Sequence, residues 1–158
     1  MSRFLVPLIF VSLAATAIAQ IDEYNLPVAV QKCLKSEQEN DLEFSDRMNP
    51  FFLRGDFNGD GKMDYAVLVI QRATGKQGIA ICLTGQHSPI VIGAGRPFAF
   101  QGGKQFDDLK SFDAWKVDDD TPDQKPSRVE RIHLIAKERG SGLIYWDGKT
   151  FRWEQLGI

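Results

Sequence analysis

The segment GDFNGDGKMDYAVLV, residues 55–69, restricts the possible folds more than any other part of the chain. Its first ten residues place four oxygen-bearing side chains among three glycines, and its last five residues are apolar at consecutive positions. Asp, Asn and Gly are turn-forming residues, and a strand that is apolar on both faces is usually central in a sheet. The segment therefore predicts a tight polar loop that leads directly into a buried strand over residues 65–71.

The polar loop also has the chemistry of a metal site. Side-chain oxygens stand at positions one, three, five and nine, and a backbone carbonyl would serve at position seven. The ligands would be Asp56, Asn58, Asp60, the Lys62 carbonyl and Asp64. Calcium takes about six to eight oxygen ligands, and carboxylates that converge without a cation repel one another. We expect calcium here; the alternatives are magnesium or a metal-free turn.

The same spacing excludes an EF-hand, because that loop needs a glutamate at position twelve and Val67 stands there. A ninth-position aspartate before an apolar strand instead resembles the calcium loop of FG-GAP and VCBS-type repeats in integrin-like β-propellers. The resemblance spans residues 52–83, is carried by GDFNGDGKMDYAV, and departs from the family's pattern at Asn58. It implies a calcium loop between two strands of one blade. A whole propeller needs at least about four blades, so the resemblance does not extend to the whole fold.

The remaining pattern predicts an α+β fold: one mostly antiparallel sheet of propeller-blade type with about seven strands, and one N-terminal helix. The helix is expected over residues 24–38, with Asn25 as its cap and Pro27 in its first turn. Residues 93–111 are expected to be irregular. The other strands are predicted at 51–53, 78–83, 89–92, 112–117 and 131–137, followed by a C-terminal hairpin.

The hairpin is the clearest β signal in the second half of the chain. Asp147-Gly148 suits a two-residue turn, which would pair Trp146 with Lys149. Cross-strand partners share a face, so this register gathers four large apolar side chains on one side, namely Ile144, Trp146, Phe151 and Trp153. We expect this face to be part of the core rather than a sugar-binding platform.

The first residues have the pattern of a cleaved secretory signal, residues 1–19: a positive charge at Arg3, an apolar stretch, and the small-residue site 17–19. Residues 20–158 would then form a single domain. They carry 18 basic and 21 acidic residues, a balance that disfavours nucleic acid or an anionic membrane as partner. We expect a periplasmic or secreted protein that acts as a monomer, without membrane association after signal cleavage.

The two cysteines, Cys33 and Cys82, can pair in an oxidising compartment. A disulfide that closes a loop of this length contributes about 4 kcal/mol in the chain-entropy model. The alternative is two buried free thiols. We expect the disulfide.

Other candidate sites carry little signal. His87 and His133 have no motif partners, so a catalytic role is not indicated for either. The glycine-rich stretch 93–103 lacks the lysine and serine of a phosphate-binding loop and is expected to be a plain loop. The carboxylates at 118–120 suit a solvated turn, with a second weak cation site as the alternative.

These observations favour a non-enzymatic calcium-binding domain in which the ion has a structural role. Such a domain would mediate protein or glycan interaction, and Trp115 and Tyr145 are candidates for lining a sugar or peptide groove. One alternative is a periplasmic inhibitor or immunity protein that acts against a cell-wall hydrolase or a toxin. A second is a small calcium-dependent hydrolase.

Overall fold

The computed structural model describes residues 25–36, 40–99, 105–118 and 129–157. In this part of the chain, one helix, a five-stranded sheet and a four-stranded sheet form three stacked layers. Every strand pairing is antiparallel. The expected class, mostly antiparallel sheet with a single helix, is confirmed for the described residues, but these contain eleven strands rather than about seven, and the strands lie in three sheets rather than one.

The first layer is the helix α1 (Val28–Leu34). The first sheet has the order β1-β3-β4-β5, with β2 also paired to β3, and its strands are β1 (Leu42–Phe44), β2 (Phe52–Gly55), β3 (Asp64–Gln71), β4 (Gln77–Cys82) and β5 (Ile90–Gly93). A ribbon of two short strands follows, β6 (Phe98–Ala99) and β7 (Gln105–Phe106). The second sheet has the order β11-β10-β9-β8, with β8 (Ala114–Asp118), β9 (Arg131–Ala136), β10 (Gly140–Trp146) and β11 (Phe151–Leu156).

Strand β3 is central, as its two apolar faces predict. Ala66 and Leu68 pack into the core between the two sheets. Val67 and Val69 pack into a second core on the opposite face, beneath α1. Because side chains alternate along a strand, a strand covered on both sides must be apolar at successive positions. The sequence of β3 therefore follows from its place in the middle layer.

The two cores are unequal in size. The core between the sheets contains most of the large apolar side chains, among them Phe57, Ile79, Ile81, Ile132, Leu134, Ile144, Phe151 and Trp153. The core under α1 is smaller and contains Leu26, Val30, Leu34, Leu42, Val67, Val69, Ala80 and Ala94. The predicted Trp146/Trp153 core face is confirmed: Trp153 is buried and Trp146 packs against the same core.

Helix α1 is shorter than predicted. Pro27 is the N-cap residue and no side chain caps the helix, so the predicted cap at Asn25 was wrong. The ψ of Pro27 is 142°, an extended value from which the helix can begin only at the next residue. The apolar face was predicted correctly, since Val30, Cys33 and Leu34 are buried.

A disulfide joins the helix to the first sheet. Cys33 lies on the buried face of α1, and Cys82 is the last residue of β4; their Cα atoms are 6.0 Å apart and the two residues are 49 positions apart in the chain. The predicted pairing is confirmed.

The C-terminal hairpin turns one residue later than predicted. Trp146 pairs with Phe151, and the Asp147 N–H donates to the Thr150 carbonyl over 3.1 Å, so the central residues are Gly148 and Lys149. The Asp147 carboxylate fixes this turn by accepting from Arg152 and from the backbone N–H groups of Thr150 and Lys149. These three bonds lower its pKa to about 2. The register differs from the predicted one by two positions, which leaves every side chain on its predicted face.

Two short strands, β6 and β7, lie in the region that was predicted to be irregular. Phe98 and Phe106 pair across this ribbon with ring centroids 5.7 Å apart in an edge-on arrangement. Phe106 also packs edge-on against Trp153, with centroids 5.8 Å apart. The ribbon is therefore held by aromatic contacts to the second sheet, which a glycine-rich local sequence does not reveal.

Gly142 should not tolerate a side chain, because the indole ring of Trp153 occupies the space where a Cβ would stand. We expect Gly142→Ala to lower the free energy of unfolding by about 1–3 kcal/mol through overpacking, measured by urea denaturation. The control is Ser141→Ala, whose side chain points to the opposite face. Equal midpoints for the two variants would contradict this packing.

Candidate metal centre

The predicted metal loop joins β2 to β3 at the end of the first sheet. Gly55 and Asp64 are paired at its base, and the intervening residues form no helix or strand. Phe57 is completely buried in the core between the sheets. The side chain of Phe57 therefore anchors the loop in the core. The polar residues of the loop form hydrogen bonds to its backbone.

Asp56 organises the first half of the loop. Its Oδ1 accepts hydrogen bonds from the backbone N–H groups of Gly59 and Asp60 over 2.7 and 3.1 Å. Its Oδ2 accepts from the N–H of Gly61 over 2.8 Å. Gly59 and Gly61 have φ of 78° and 80°, which glycine adopts without steric cost. The glycines thus let the backbone curl around one carboxylate.

Asn58 and Asp60 continue the same pattern two residues at a time. The Asn58 Oδ1 accepts from the Asp60 N–H over 3.0 Å, and the Asp60 Oδ1 accepts from the Lys62 N–H over 2.9 Å. These are the side-chain-to-backbone bonds typical of Asx turns. The Lys62 ammonium also lies 3.2 Å from the Asp60 carboxylate. Only the carbonyl of Lys62 was predicted to have a role. The Lys62 N–H is the leading cause of the lowered pKa of Asp60.

Asp64, the ninth-position residue, is completely buried. Its Oδ2 accepts from the Phe57 N–H over 3.2 Å, and its Oδ1 accepts from the Thr84 N–H over 2.7 Å. Burial raises the pKa of Asp64, and the negative charges of Asp60 and Asp56 act in the same direction. Asp64 therefore closes the loop on itself and ties it to the residues that follow β4.

The predicted ligands match calcium in chemistry more closely than in arrangement. All of them are oxygen donors, as a hard cation requires, and each carboxylate oxygen that accepts an N–H keeps a further lone pair. Among the described residues, however, no three His, Cys, Asp or Glu side chains lie together as a metal-binding group. Calcium binding at this loop would thus require the carboxylates of Asp56, Asp60 and Asp64 to turn towards a common centre.

One partner of the loop lies far from it in the chain and was not predicted. The Asp56 N–H donates to the Glu130 carboxylate over 2.6 Å, and the Glu130 N–H donates back to the Asp56 carbonyl over 2.9 Å. Val129 also lies where a Cβ on Gly59 would stand. Glu130 and Val129 come directly before β9 in the second sheet, so the loop bridges the two sheets. No local pattern could have revealed a contact across 74 positions.

Two other predicted candidates have structural roles. Asp118 is buried and forms an ion pair of 2.7 Å with Arg131, so its carboxylate already has a cationic partner rather than standing in a solvated turn. Residues 119 and 120 lie outside the described part of the chain. Trp115 is buried and its indole N–H donates to the Pro50 carbonyl over 2.6 Å. The suggestion that Trp115 lines a groove was therefore wrong, whereas Tyr145 is partly exposed.

The two histidines lie on different elements. His87 is exposed in the segment between β4 and β5. His133 stands in β9, and its Nε2 is buried without a hydrogen-bond partner among the described residues. Burial lowers the pKa of His133, and the positive charge of Lys116 adds to this effect. A partly buried imidazole whose charged form is disfavoured fits a structural position.

Comparison with protein-family models, with curated proteins and with solved structures gave no match. No helix in the described ranges is long and apolar enough to cross a membrane.

Proposed function

We propose that this chain is an exported, non-enzymatic domain that binds one calcium ion in the loop 56–64, where the ion has a structural role. The observation that carries the proposal is Asp64: a completely buried carboxylate whose pKa is raised by burial and by the charges of two neighbouring aspartates. A divalent cation would remove the repulsion between these like charges. The ligand set is Asp56, Asn58, Asp60, the Lys62 carbonyl and Asp64.

The position of the loop explains why an ion would stabilise the domain. The loop already contacts three other parts of the molecule. Phe57 packs into the core between the sheets, Asp64 accepts from Thr84 in the segment after β4, and the Asp56 N–H donates to Glu130 beside the second sheet. Ordering a loop costs about 1–2 kcal/mol per residue in backbone entropy, and an ion that binds only the folded loop offsets part of that cost. Calcium would thus strengthen the junction between the two sheets.

The unit formed by β2, the loop, β3 and β4 covers nearly the whole range of the FG-GAP resemblance. We propose that it corresponds to part of one propeller-type blade, used here once and covered by a second sheet. The proposal is supported by the order of the elements: a strand, a polar loop, a second strand, a turn and a third strand. Neighbouring strands in this unit pair antiparallel.

Export is supported by two independent features. The N-terminal residues have the composition of a secretory signal, and Cys33 and Cys82 form a disulfide, a bond that persists mainly in oxidising compartments. A periplasmic or secreted location also brings the domain to millimolar calcium, where weak extracellular sites are filled. The partner of such a domain would be a protein or a glycan, and we expect the domain itself to be a monomer.

The calcium proposal can be tested by isothermal titration of chelator-treated mature protein. We expect a Kd of about 10⁻⁴–10⁻³ M, the range of extracellular modules. A tenfold excess of calcium over Kd should add about 1.4 kcal/mol of stability, which corresponds to a rise in Tm of roughly 3–6 °C. Magnesium, which prefers a smaller octahedral site, should bind more weakly.

The matched variants are Asp60→Asn and Asp46→Asn, since both residues are exposed but only Asp60 belongs to the proposed site. Asp60→Asn should weaken calcium binding at least tenfold, and Asp46→Asn should leave it unchanged. If the wild-type protein shows neither heat nor a shift in Tm at millimolar calcium, the loop is a metal-free turn and the proposal is wrong.

A further inference from the structure

A cavity of about 260 Å³ lies between α1 and the segment that follows β4. Drug-sized ligands occupy sites of about 300–1,000 Å³, so this cavity suits a smaller molecule. Its apolar lining consists of the buried Cys33–Cys82 disulfide and Leu83, together with the exposed Ala29. Cys33, Cys82 and Leu83 are nearly inaccessible to solvent, so this part of the lining is fixed by the core behind it and by the covalent link between helix and sheet.

The mouth of the cavity is polar and carries only positive or neutral groups. Lys32 projects from α1, and Gln86 and His87 come from the segment after β4; all three are exposed. None of the described residues that line the cavity is acidic. Lys32 forms no ion pair with any other described residue. The described lining of the cavity therefore carries a positive charge at Lys32, even though the chain as a whole carries a formal net charge of −2.

An apolar wall beneath a cationic mouth is complementary to a small amphipathic anion. We propose that this cavity binds a small organic carboxylate, with its short apolar group against the disulfide, Leu83 and Ala29. Its carboxylate would accept charge-assisted hydrogen bonds from Lys32 and from the side chains of Gln86 and His87. This site lies beside the proposed calcium loop, and none of the groups that would hold the carboxylate is a proposed calcium ligand.

The cavity and the calcium loop share one residue. Thr84 lines the cavity, while its N–H donates to Asp64 and its hydroxyl donates to the Met63 carbonyl. A ligand that orders the segment after β4 therefore also holds the bonds that close the loop. We expect a modest increase in apparent calcium affinity when the cavity is filled. By linkage, calcium should raise the affinity of the cavity for its ligand by the same factor.

The test uses butyrate as the probe and the disulfide-intact, ¹⁵N-labelled mature chain in two-dimensional NMR. Butyrate should shift the amide signals of residues 32–33 and 82–87 saturably, with a Kd in the millimolar range, roughly −4 kcal/mol. Butyramide, which has the same shape without the charge, should cause no saturable shift. Inorganic phosphate, an anion without an apolar group, should bind more weakly than butyrate.

Lys32→Gln should weaken butyrate binding roughly three- to tenfold, the effect of losing one charged hydrogen-bond partner at a partly exposed site. Lys149→Gln, at the tip of the distant hairpin, is the control and should bind butyrate as the wild type does. Both positions are exposed, so neither variant should affect folding. The proposal is wrong if butyrate causes no saturable shifts in this region, if butyramide matches butyrate, or if the two lysine variants bind equally.

Discussion

Replacing both Cys33 and Cys82 with alanine should lower the free energy of unfolding by about 4 kcal/mol, the loop-closure value for a bridge that spans about 50 residues. For a domain of this size, we expect a fall in Tm of roughly 10–15 °C. Alanine is preferred to serine because both positions are buried, and a hydroxyl there would lack a hydrogen-bond partner. Differential scanning calorimetry measures the change.

Within the folded chain, loss of the disulfide should act mainly on the helix. Helix α1 has seven residues, and helices of this length are not stable on their own in water. Among the described residues, Val30 and Leu34 of the helix and Leu26 just before it pack into the smaller core. Without the disulfide, the helix should detach before the sheets unfold, and the cavity beside Cys82 should lose one wall.

Dithiothreitol provides the matched control for the cysteine prediction. Reduction of the wild-type protein should reproduce the lower Tm of the double alanine variant, and the variant itself should not respond to the reductant. Hydrogen exchange should show the largest loss of protection in residues 28–34. A double variant that melts within about 2 °C of the oxidised wild type would show that the disulfide contributes little to stability.

The sequence was sufficient for those features that depend on local pattern. The apolar positions of β3 identify a central strand, the spacing of Val30, Cys33 and Leu34 identifies the buried face of α1, and alternation in the hairpin sorts its aromatic side chains correctly. Each of these features follows from the spacing of apolar residues within a single segment.

Features that depend on distant partners could not be predicted in this way. Strand β1, Leu42–Phe44, contains a charged residue and is only three residues long; its identity as a strand comes from its pairing with β3. The grouping of the strands into three sheets, and the bonds between Asp56 and Glu130, also depend on segments far apart in the chain. The hairpin turn lies one residue later than predicted, where the Asp147 carboxylate accepts hydrogen bonds from the backbone N–H groups of Lys149 and Thr150.

Replacing Asp64 with alanine should have the second largest effect, a loss of about 2–4 kcal/mol in the free energy of unfolding. The substitution leaves the buried Phe57 N–H and the partly buried Thr84 N–H without their acceptor, and an unpaired buried donor costs about 1–3 kcal/mol. Loss of a buried charge with a raised pKa offsets part of this cost. Asp64→Asn keeps one acceptor oxygen and should lose about half as much. Urea denaturation in the presence of a chelator measures both variants.

Measuring the same variants with calcium separates the two roles of Asp64, as a backbone anchor and as a ligand. If the loop binds calcium, the stabilisation by the ion should disappear in Asp64→Ala, weaken in Asp64→Asn and persist in Asp46→Asn, the exposed control outside the loop. A loss of stability in Asp64→Ala together with no calcium response in the wild type would leave Asp64 as an anchor alone and refute the metal site. Wild-type stability in Asp64→Ala would refute the anchor, because it would require water to satisfy the Phe57 N–H inside the core.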